Sequence, residues 1–210
     1  MTISAGDDGP RLTVHTNVIK TSSSPYLKAA LSRDWKEALE KNIVLHETST
    51  PILAGYIHWL YTKCIVEHST SGCYLELFEF YILGDYLRDT AFCQSVIDLI
   101  VERNGHQFPP LQPEVCFVWE RTLPDCPLRH VIKEVWFSMP VGWSIEMFRE
   151  DADMPWPMDF ILDVCQQLSN RSREVKEHSF SGKSFPEVKA ACQGLFKCYT
   201  GGENVRRPAE

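Results

Sequence analysis

Cysteine and histidine are the residues of this chain best suited to nucleophilic chemistry. A thiolate beside a histidine can attack a carbonyl carbon, and Cys93 or Cys64 could pair with His15 or His46 in such a hydrolase. Cys93, however, belongs to an apolar set at helical spacing, and burial raises the pKa of a thiol and makes it inert. A Cys/His hydrolase is therefore only the third-ranked hypothesis, and His15 is predicted to be a hydrogen-bonded structural residue at a strand end.

A metal site is the next chemistry that the residue types suggest. His58, Cys64, His68 and Cys73 lie near one another in the sequence and could supply four ligands. Structural zinc sites use tight paired spacings such as Cys-x-x-Cys, and this segment has none. We therefore predict no metal site, with Cys64 on the inner face of a strand and His68 exposed.

Two further patterns imitate a functional site. The run Ser181-Gly182-Lys183-Ser184 resembles the end of a phosphate-binding loop, but Glu177 stands where that loop needs glycine, and no apolar strand precedes it. Asp151 and Asp153 could form a general acid and base, yet carboxylates in a proline-rich loop without histidine neighbours are typical of a solvated surface. No cofactor and no catalytic residue is predicted, so we do not expect an enzyme.

Composition limits the class of protein. The chain has 210 residues, 44% of them hydrophobic, which suffices for one buried core of about 100–150 residues and an extension. Its net charge is −7 and its basic residues are scattered, so nucleic acid is not an expected partner.

No apolar run reaches about 18 residues, and the N-terminus lacks a signal sequence, so we expect no membrane contact and a soluble protein of the cytoplasm or nucleus. The eight cysteines are then expected to be free thiols, and Asn170-Arg171-Ser172 a chance match to a glycosylation site.

Turn formers and apolar spacing predict a mixed α and β domain over residues 1–104. Two strands flank the Gly6–Pro10 turn, and residues 42–46 and 64–66 are predicted as further strands. Ser24-Pro25 and Thr50-Pro51 each combine a capping residue with a proline at the helix start.

The second half of this domain carries two longer helical patterns. In the first, Leu75, Phe78, Ile82 and Tyr86 are predicted to form a broad apolar face, which Leu77 and Tyr81 widen, so that the helix is nearly central. In the second, Asp89-Thr90 caps a helix that ends at Asn104-Gly105. Its predicted buried face consists of Phe92, Cys93, Val96, Ile97, Ile100 and Val101.

Beyond the stiff Pro109-Pro110 connector, the pattern is helical. Helices are predicted at 113–119, 128–137 and 158–168, the last with Met158, Ile161, Leu162, Cys165 and Leu168 in line. Residues 169–210 are predicted to be a mostly disordered tail with a short helix at 187–196. Of the tryptophans, Trp59 and Trp119 are predicted to be core, and Trp156 is the favoured exposed anchor.

Several short segments, in their order and spacing, resemble the fungal type of BTB/POZ domain and the region that follows it. They are His15 with Val18-Ile19, Ser24-Pro25-Tyr26-Leu27, Trp35-Lys36-Glu37-Ala38 before Ile43-Val44-Leu45, Trp59-Leu60-Tyr61-Thr62, Tyr81 to Leu87, Val118 to Thr122, Pro127-Leu128-Arg129 and Met158-Asp159-Phe160. The residues that match family motifs most directly are His15, Ser24, Pro25, Trp59, Tyr61, Asp85 and Arg129. The chain departs from the pattern at Thr16, where the family has Lys, and at Lys63, where it has Gly.

The resemblance implies an α+β BTB/POZ fold, a small sheet with a cluster of helices, followed by an all-helical extension at 105–168 that packs on it. It also implies a protein-interaction module that associates with itself or with another BTB protein. The chain begins inside the first strand of the hairpin, so the segment that some members exchange between partners is not expected. Arg129 is expected to begin a docking helix with its guanidinium free for a carboxylate or carbonyl partner at the junction.

The alternative function is that of an adaptor subunit of a cullin-type ubiquitin ligase. Cullin-binding members often have an acidic residue shortly before the end of the third helix, and none occurs between Pro51 and Tyr56. No substrate-capturing domain follows either. These departures weaken the adaptor hypothesis, and self-association or hetero-association remains the first.

Overall fold

The computed structural model describes residues 1–32, 42–67, 74–104, 109–138 and 155–174, and these residues form a mixed α+β protein. They contain three strands and eight helices. The chain divides into two compact units, residues 1–96 and 97–210. Trp35, His68, Cys73, Asp151, Asp153, the Ser181–Ser184 run and the helix predicted at 187–196 lie outside the described residues.

The first unit contains a three-stranded sheet in the order β2, β1, β3. Strands β1 (Thr2–Ala5) and β2 (Arg11–Thr13) form the predicted antiparallel hairpin, and β3 (Asn42–Leu45) lies parallel to β1. Ile3 pairs in register with Ile43, and both side chains are fully buried. Gly6 follows β1 with a φ of 72°, a left-handed conformation that glycine adopts without strain, and its N–H donates to the carbonyl of Leu45 at 2.8 Å.

The strand predicted at residues 64–66 does not form. This segment is irregular, and both Cys64 and Val66 are exposed. A three-residue apolar run is a weak strand signal because it cannot show which face, if any, will be buried. The prediction that Cys64 fills the inner face of a strand is therefore wrong.

The two helices predicted to begin at Ser24-Pro25 and Thr50-Pro51 form, and a short helix that was not predicted precedes them. Helix α1 covers Thr16–Thr21, α2 covers Pro25–Ala29 and α3 covers Thr50–Thr62. The Ser24 hydroxyl accepts a 3.1 Å hydrogen bond from the N–H of Leu27, so the predicted cap of α2 is confirmed. The start of α3 is confirmed as well, but its capping position is Ser49, whose side chain makes no capping bond.

Helix α4 covers Leu75–Tyr86, and its predicted apolar face is confirmed only in part. Leu77, Phe78 and Tyr81 are buried as predicted, whereas Leu75 and Tyr86 are 38% and 44% exposed, and the buried side extends to Phe80 and Gly84. Glycines explain the choice of face. A Cβ atom at Gly84 would lie 2.8 Å from the Cys93 sulfur, and one at Gly55 of α3 would lie 2.5 Å from the Phe80 ring. The missing side chains allow close packing on this side.

Helix α5 covers Thr90–Asn104 and ends where the sequence predicts. All six residues of its predicted apolar face are buried. Asp89 caps it, because its carboxylate accepts a 3.2 Å hydrogen bond from the N–H of Phe92. The boundary between the two units falls within this helix.

The second unit contains the three helices predicted for it. They are α6 (Gln112–Arg121), α7 (Pro127–Phe137) and α8 (Met158–Glu174). Helix α8 includes residues 169–174, so the disordered tail was predicted to begin too early. It also turns a different face inward. Phe160 and Val164 are buried, whereas Met158, Leu162 and Cys165 of the predicted line are exposed.

Aromatic rings form much of the core of this unit. The Trp156 ring is buried and stacks on Phe160 with 5.5 Å between centroids, and its edge contacts Trp136 at 5.3 Å. The prediction that Trp156 is an exposed anchor is therefore wrong, because its ring packs against Trp136 and Phe160 in the core. Trp119 is half-buried, less so than predicted. No helix in the described part of the chain is long and apolar enough to cross a membrane.

Candidate functional site

The carboxylate of Asp89 is the centre of a hydrogen-bond network in the described part of the first unit. This residue is fully buried where α4 turns into α5. Besides the N–H of Phe92, its carboxylate accepts hydrogen bonds from the Tyr56 hydroxyl, at 2.8 Å, and from the Ser23 hydroxyl. Burial raises the pKa of Tyr56 far above its ordinary value of 10.0, and the Asp89 carboxylate raises it further. Tyr56 therefore stays protonated and acts as a donor.

Two consecutive serines attach the chain before α2 to the same turn. The Ser24 hydroxyl caps α2 and also donates to the Leu87 carbonyl at 2.6 Å. The Ser23 oxygen accepts a 3.4 Å hydrogen bond from the N–H of Ala91 while its hydroxyl donates to Asp89. These contacts connect segments more than 60 residues apart and give both serines a structural role.

His15 and Tyr61 form a pair near the start of α1. The Tyr61 oxygen accepts a 3.0 Å hydrogen bond from the backbone N–H of His15, and the Nδ1 atom of His15 lies 2.7 Å from the same oxygen. Both residues are exposed. His15 is hydrogen-bonded, as the sequence predicts, but it lies at the N-terminal cap of α1 because β2 already ends at Thr13.

An aromatic pair of one half-buried and one exposed tyrosine, Tyr26 and Tyr86, lies where α2 meets the C-terminal end of α4. The rings of Tyr26 and Tyr86 are 5.4 Å apart and tilted by 50°. Tyr86 is among the large apolar residues of this unit that stay at the surface, together with Tyr61, Val66 and Leu75. Exposed tyrosines of this kind are enriched in protein interfaces, because they offer a large rigid contact area with a polar end.

Arg129 is the centre of a hydrogen-bond network in the described part of the second unit. Its guanidinium donates to the carbonyls of Trp119, at 2.6 Å, and Thr122, and to the Thr122 hydroxyl at 2.9 Å. It also lies 3.4 Å from the carboxylate of Asp159, which accepts a 2.7 Å hydrogen bond from the Trp119 indole. The guanidinium thus binds the last carbonyls of α6 and the Asp159 carboxylate, so its partners are of the predicted kinds, but they belong to the second unit itself.

The cysteine and histidine candidates are spread over different environments. Cys93 is buried and its thiol donates a weak 3.8 Å hydrogen bond to the Tyr81 carbonyl. His15 contacts Tyr61, and the Nδ1 atom of His46 faces Asp7 at 3.8 Å on the surface. Cys64 and His58 are exposed. Across the described residues, no group of three or more His, Cys, Asp or Glu is arranged to hold a metal ion.

Two of the remaining motif residues are accounted for within the first unit. Trp59 is buried, as predicted, and its indole N–H donates to the Ser95 hydroxyl at 3.3 Å. Asp85 is half-buried on α4.

Sequence reasoning did not single out Tyr56 or Asp159. The available signals were the cap at Asp89 and the Met158-Asp159-Phe160 motif. Neither signal shows which residue Asp89 or Asp159 contacts in the folded chain.

Comparison with known proteins adds little to this geometry. No family model matches the chain. A stretch of 84 residues is 23% identical to a protein of Enterobacteria phage phiK that is named "A protein". The similarity covers 40% of this chain and only 17% of the phage protein. That name states neither an activity nor a ligand, and a similarity of this extent establishes no common family.

Proposed function

We propose that this chain is a non-enzymatic protein-interaction protein built on a BTB/POZ domain, which acts by self-association or by pairing with another BTB protein. The order of elements in the first unit supports the fold assignment. A hairpin, two short helices, a strand parallel to β1 and then three helices follow one another. The order departs from the one that the resemblance implies in two places: a second short helix precedes β3, and the described residues 64–66 between α3 and α4 do not form a strand.

The observation that carries the interaction function is the Tyr26–Tyr86 pair. Tyr86 is 44% exposed although it belongs to an apolar set at helical spacing. Its neighbours on that face of α4, Leu75 and Ile82, are also exposed or half-buried. A tyrosine pair beside aliphatic side chains is the composition of a binding hot spot, which gains free energy when a partner excludes water from it.

Several of the residues that match family motifs have structural roles. The surface around Tyr26 and Tyr86 is therefore the part of the first unit that we propose for partner binding. Ser24 and Trp59 are held inside the first unit, and Arg129 inside the second, by the hydrogen bonds described above. The geometry does not favour the hydrolase hypothesis, because burial of Cys93 disfavours a thiolate.

Sedimentation of the full chain over a range of concentrations tests the proposal. We expect a concentration-dependent dimer that Tyr86→Asp weakens and that Leu123→Asp does not. Leu123 is an exposed leucine of the second unit, so the control introduces the same charge elsewhere. If the chain sediments as a monomer, a pull-down with a second BTB protein and one with a cullin N-terminal domain separate hetero-association from the adaptor alternative. Binding to none of the three would refute the proposal.

A further inference from the structure

Two ion pairs connect helix α8 to helix α7 within the second unit. The Arg129 guanidinium lies 3.4 Å from the carboxylate of Asp159, and the Lys133 ammonium lies 2.8 Å from that of Asp163. The partners are four residues apart on each helix, so the two pairs follow one another at an interval of one turn. The Lys133 side chain is only 17% exposed, so solvent screens its pair only in part.

A histidine lies beside the second of these pairs. His130 is half-buried on α7 and precedes Lys133 by three residues, which makes the two side chains neighbours on the helix surface. A neutral imidazole causes no repulsion there, but an imidazolium would place a second positive charge next to the lysine. Partial burial adds a desolvation cost to that charge. The folded protein therefore accommodates His130 better when the ring is neutral.

The charged groups that face His130 belong to both helices and to the loop before α7. They are Lys133 and Glu134 of α7, Asp163 of α8, and Asp125 of the loop. The three carboxylates favour the imidazolium, but burial and Lys133 have the larger effects, so the pKa of His130 is lowered from its ordinary value of 6.5. Asp163 is already paired with Lys133, and Asp125 is exposed to solvent, which limits what either carboxylate can offset.

We propose that protonation of His130 in mild acid loosens helix α8 from helix α7, so that this contact acts as a pH-sensitive latch. The imidazolium repels Lys133 and competes with it for the Asp163 carboxylate, which weakens the ion pair between the helices. The side chain most affected by opening is Phe160, which is fully buried on α8 with its ring centre 5.5 Å from that of Trp136 on α7. Opening therefore exposes aromatic surface. The proposal does not depend on the BTB assignment.

The lowered pKa of His130 sets the direction of the pH dependence. When α8 opens, solvent reaches the ring and screens it from Lys133, so the pKa returns towards its ordinary value of 6.5. A histidine whose pKa is lower in the closed state contributes stability that is complete above about pH 6.5. That contribution is lost as the pH falls towards the pKa of the closed state. In this window each pH unit lowers the equilibrium constant for closing by up to about tenfold.

Amide hydrogen exchange of the full chain, corrected for the intrinsic pH dependence of exchange, measures the opening of α8. We expect the protection of residues 160–167 to fall by at least about threefold between about pH 7 and 5.5 in the parent chain. His130→Asn cannot gain the charge and should abolish that fall. His58→Asn, at an exposed histidine of α3, is the matched control and should behave as the parent does. Unchanged protection in the parent, or an equal fall in His130→Asn, would overturn the proposal.

A titration of the His130 ring by NMR gives a second readout, which does not require His130→Asn to fold. In the parent chain the pKa of His130 should lie below 6.5. Lys133→Gln removes the repelling charge, so the pKa of His130 should rise in this variant and the pH dependence of α8 protection should shrink. A pKa at or above 6.5 in the parent, or one that Lys133→Gln leaves unchanged, would overturn the proposal.

Discussion

The hydroxyl of Tyr56 donates a 2.8 Å hydrogen bond to the carboxylate of Asp89, and both residues are fully buried. Ser23 and the N–H of Phe92 donate to the same carboxylate. Three donors around one buried carboxylate satisfy most of its hydrogen-bonding capacity, so its burial is tolerated. The packing of α2, α3 and α5 around this group therefore depends on each of the donors.

Removing the carboxylate should destabilise the protein more than removing the tyrosine hydroxyl. Asp89→Ala removes the cap of α5 and leaves the Tyr56 hydroxyl without its acceptor, at an expected cost of about 2–4 kcal/mol. Tyr56→Phe removes one of three donors and should cost about 1–2 kcal/mol. Chemical denaturation of both single variants and of the double variant measures the coupling, expected at about 0.5–3 kcal/mol.

The exposed Asp8 provides the control for loss of a carboxylate. Asp8→Ala should change the free energy of unfolding by less than about 0.5 kcal/mol. If Asp89→Ala were equally mild, the carboxylate would not hold these helices together.

Tyr56 should also make the protein sensitive to alkaline pH. The pKa of its phenol is raised in the folded state, so the stability that it contributes is complete below the ordinary pKa of 10.0 and is lost as pH rises above that value. Each pH unit in this range should cost up to about 1.4 kcal/mol. Denaturation at several values between about pH 9 and 11 should show a shallower decline for Tyr56→Phe than for the parent. Identical slopes would contradict the assignment.

The existence of most elements could be predicted because their signals are local. A serine or threonine before a proline indicates a helix start, and the helical spacing of Phe92 to Val101 indicates which side of α5 is buried. In α4, by contrast, apolar residues surround the helix, so spacing cannot choose a face. The choice depends on the close approach that Gly55 and Gly84 allow, and one of these glycines lies on another helix.

The polar contacts were predictable only in part, because their partners are distant in the sequence. Asp89 was identified as a cap from its neighbour Thr90, but its partners Tyr56 and Ser23 lie 33 and 66 residues away in the sequence. Arg129 was identified from a family motif, yet its acceptors on α6 become apparent only when α6 and α7 are packed together. The arrangement of the extension on the first domain stays a prediction.

Two basic residues occupy backbone conformations that usually require glycine. Lys63 and Arg88 have φ values of 60° and 53°, and each follows the end of a helix. Arg88→Gly should therefore stabilise the protein by up to about 1 kcal/mol, because the left-handed conformation is strained for residues with a Cβ atom. Lys63→Gly should gain less, since the lysine ammonium lies 4.0 Å from the Trp59 ring centre and that contact would be lost. Thermal unfolding of both variants tests this order, with Arg88→Ala as the control that keeps the strain.

The described cysteines should differ in their reactivity as their exposure does. Cys64, Cys93, Cys116, Cys126 and Cys165 are free thiols. Brief alkylation of the native protein at neutral pH, followed by peptide mass spectrometry, should label the exposed Cys64 and Cys165 first and the buried Cys93 and Cys126 last. Cys116 should react more slowly than its partial exposure alone would predict, because burial and the nearby Glu120 raise the pKa of its thiol. Rapid labelling of Cys93 would revive the hydrolase hypothesis.

The last prediction concerns Arg129, whose main role we expect to be closing the end of α6 and not pairing with Asp159. Burial lowers the pKa of the guanidinium and Asp159 raises it. The ion pair is 3.4 Å long and the Asp159 side chain is 57% exposed, so solvent weakens it. The bonds to the Trp119 and Thr122 carbonyls are shorter.

Arg129→Lys should thus cost about 2–4 kcal/mol, because one ammonium group cannot reproduce the planar fork that meets both carbonyls and the Thr122 hydroxyl. Asp159→Asn should cost less than about 1 kcal/mol, since the amide oxygen can still accept from the Trp119 indole. Arg121→Lys, at an exposed arginine of the same helix end, is the control and should be nearly neutral. Urea denaturation followed by tryptophan fluorescence gives all three values. A larger loss for Asp159→Asn than for Arg129→Lys would reverse the assignment and make the ion pair the dominant contact.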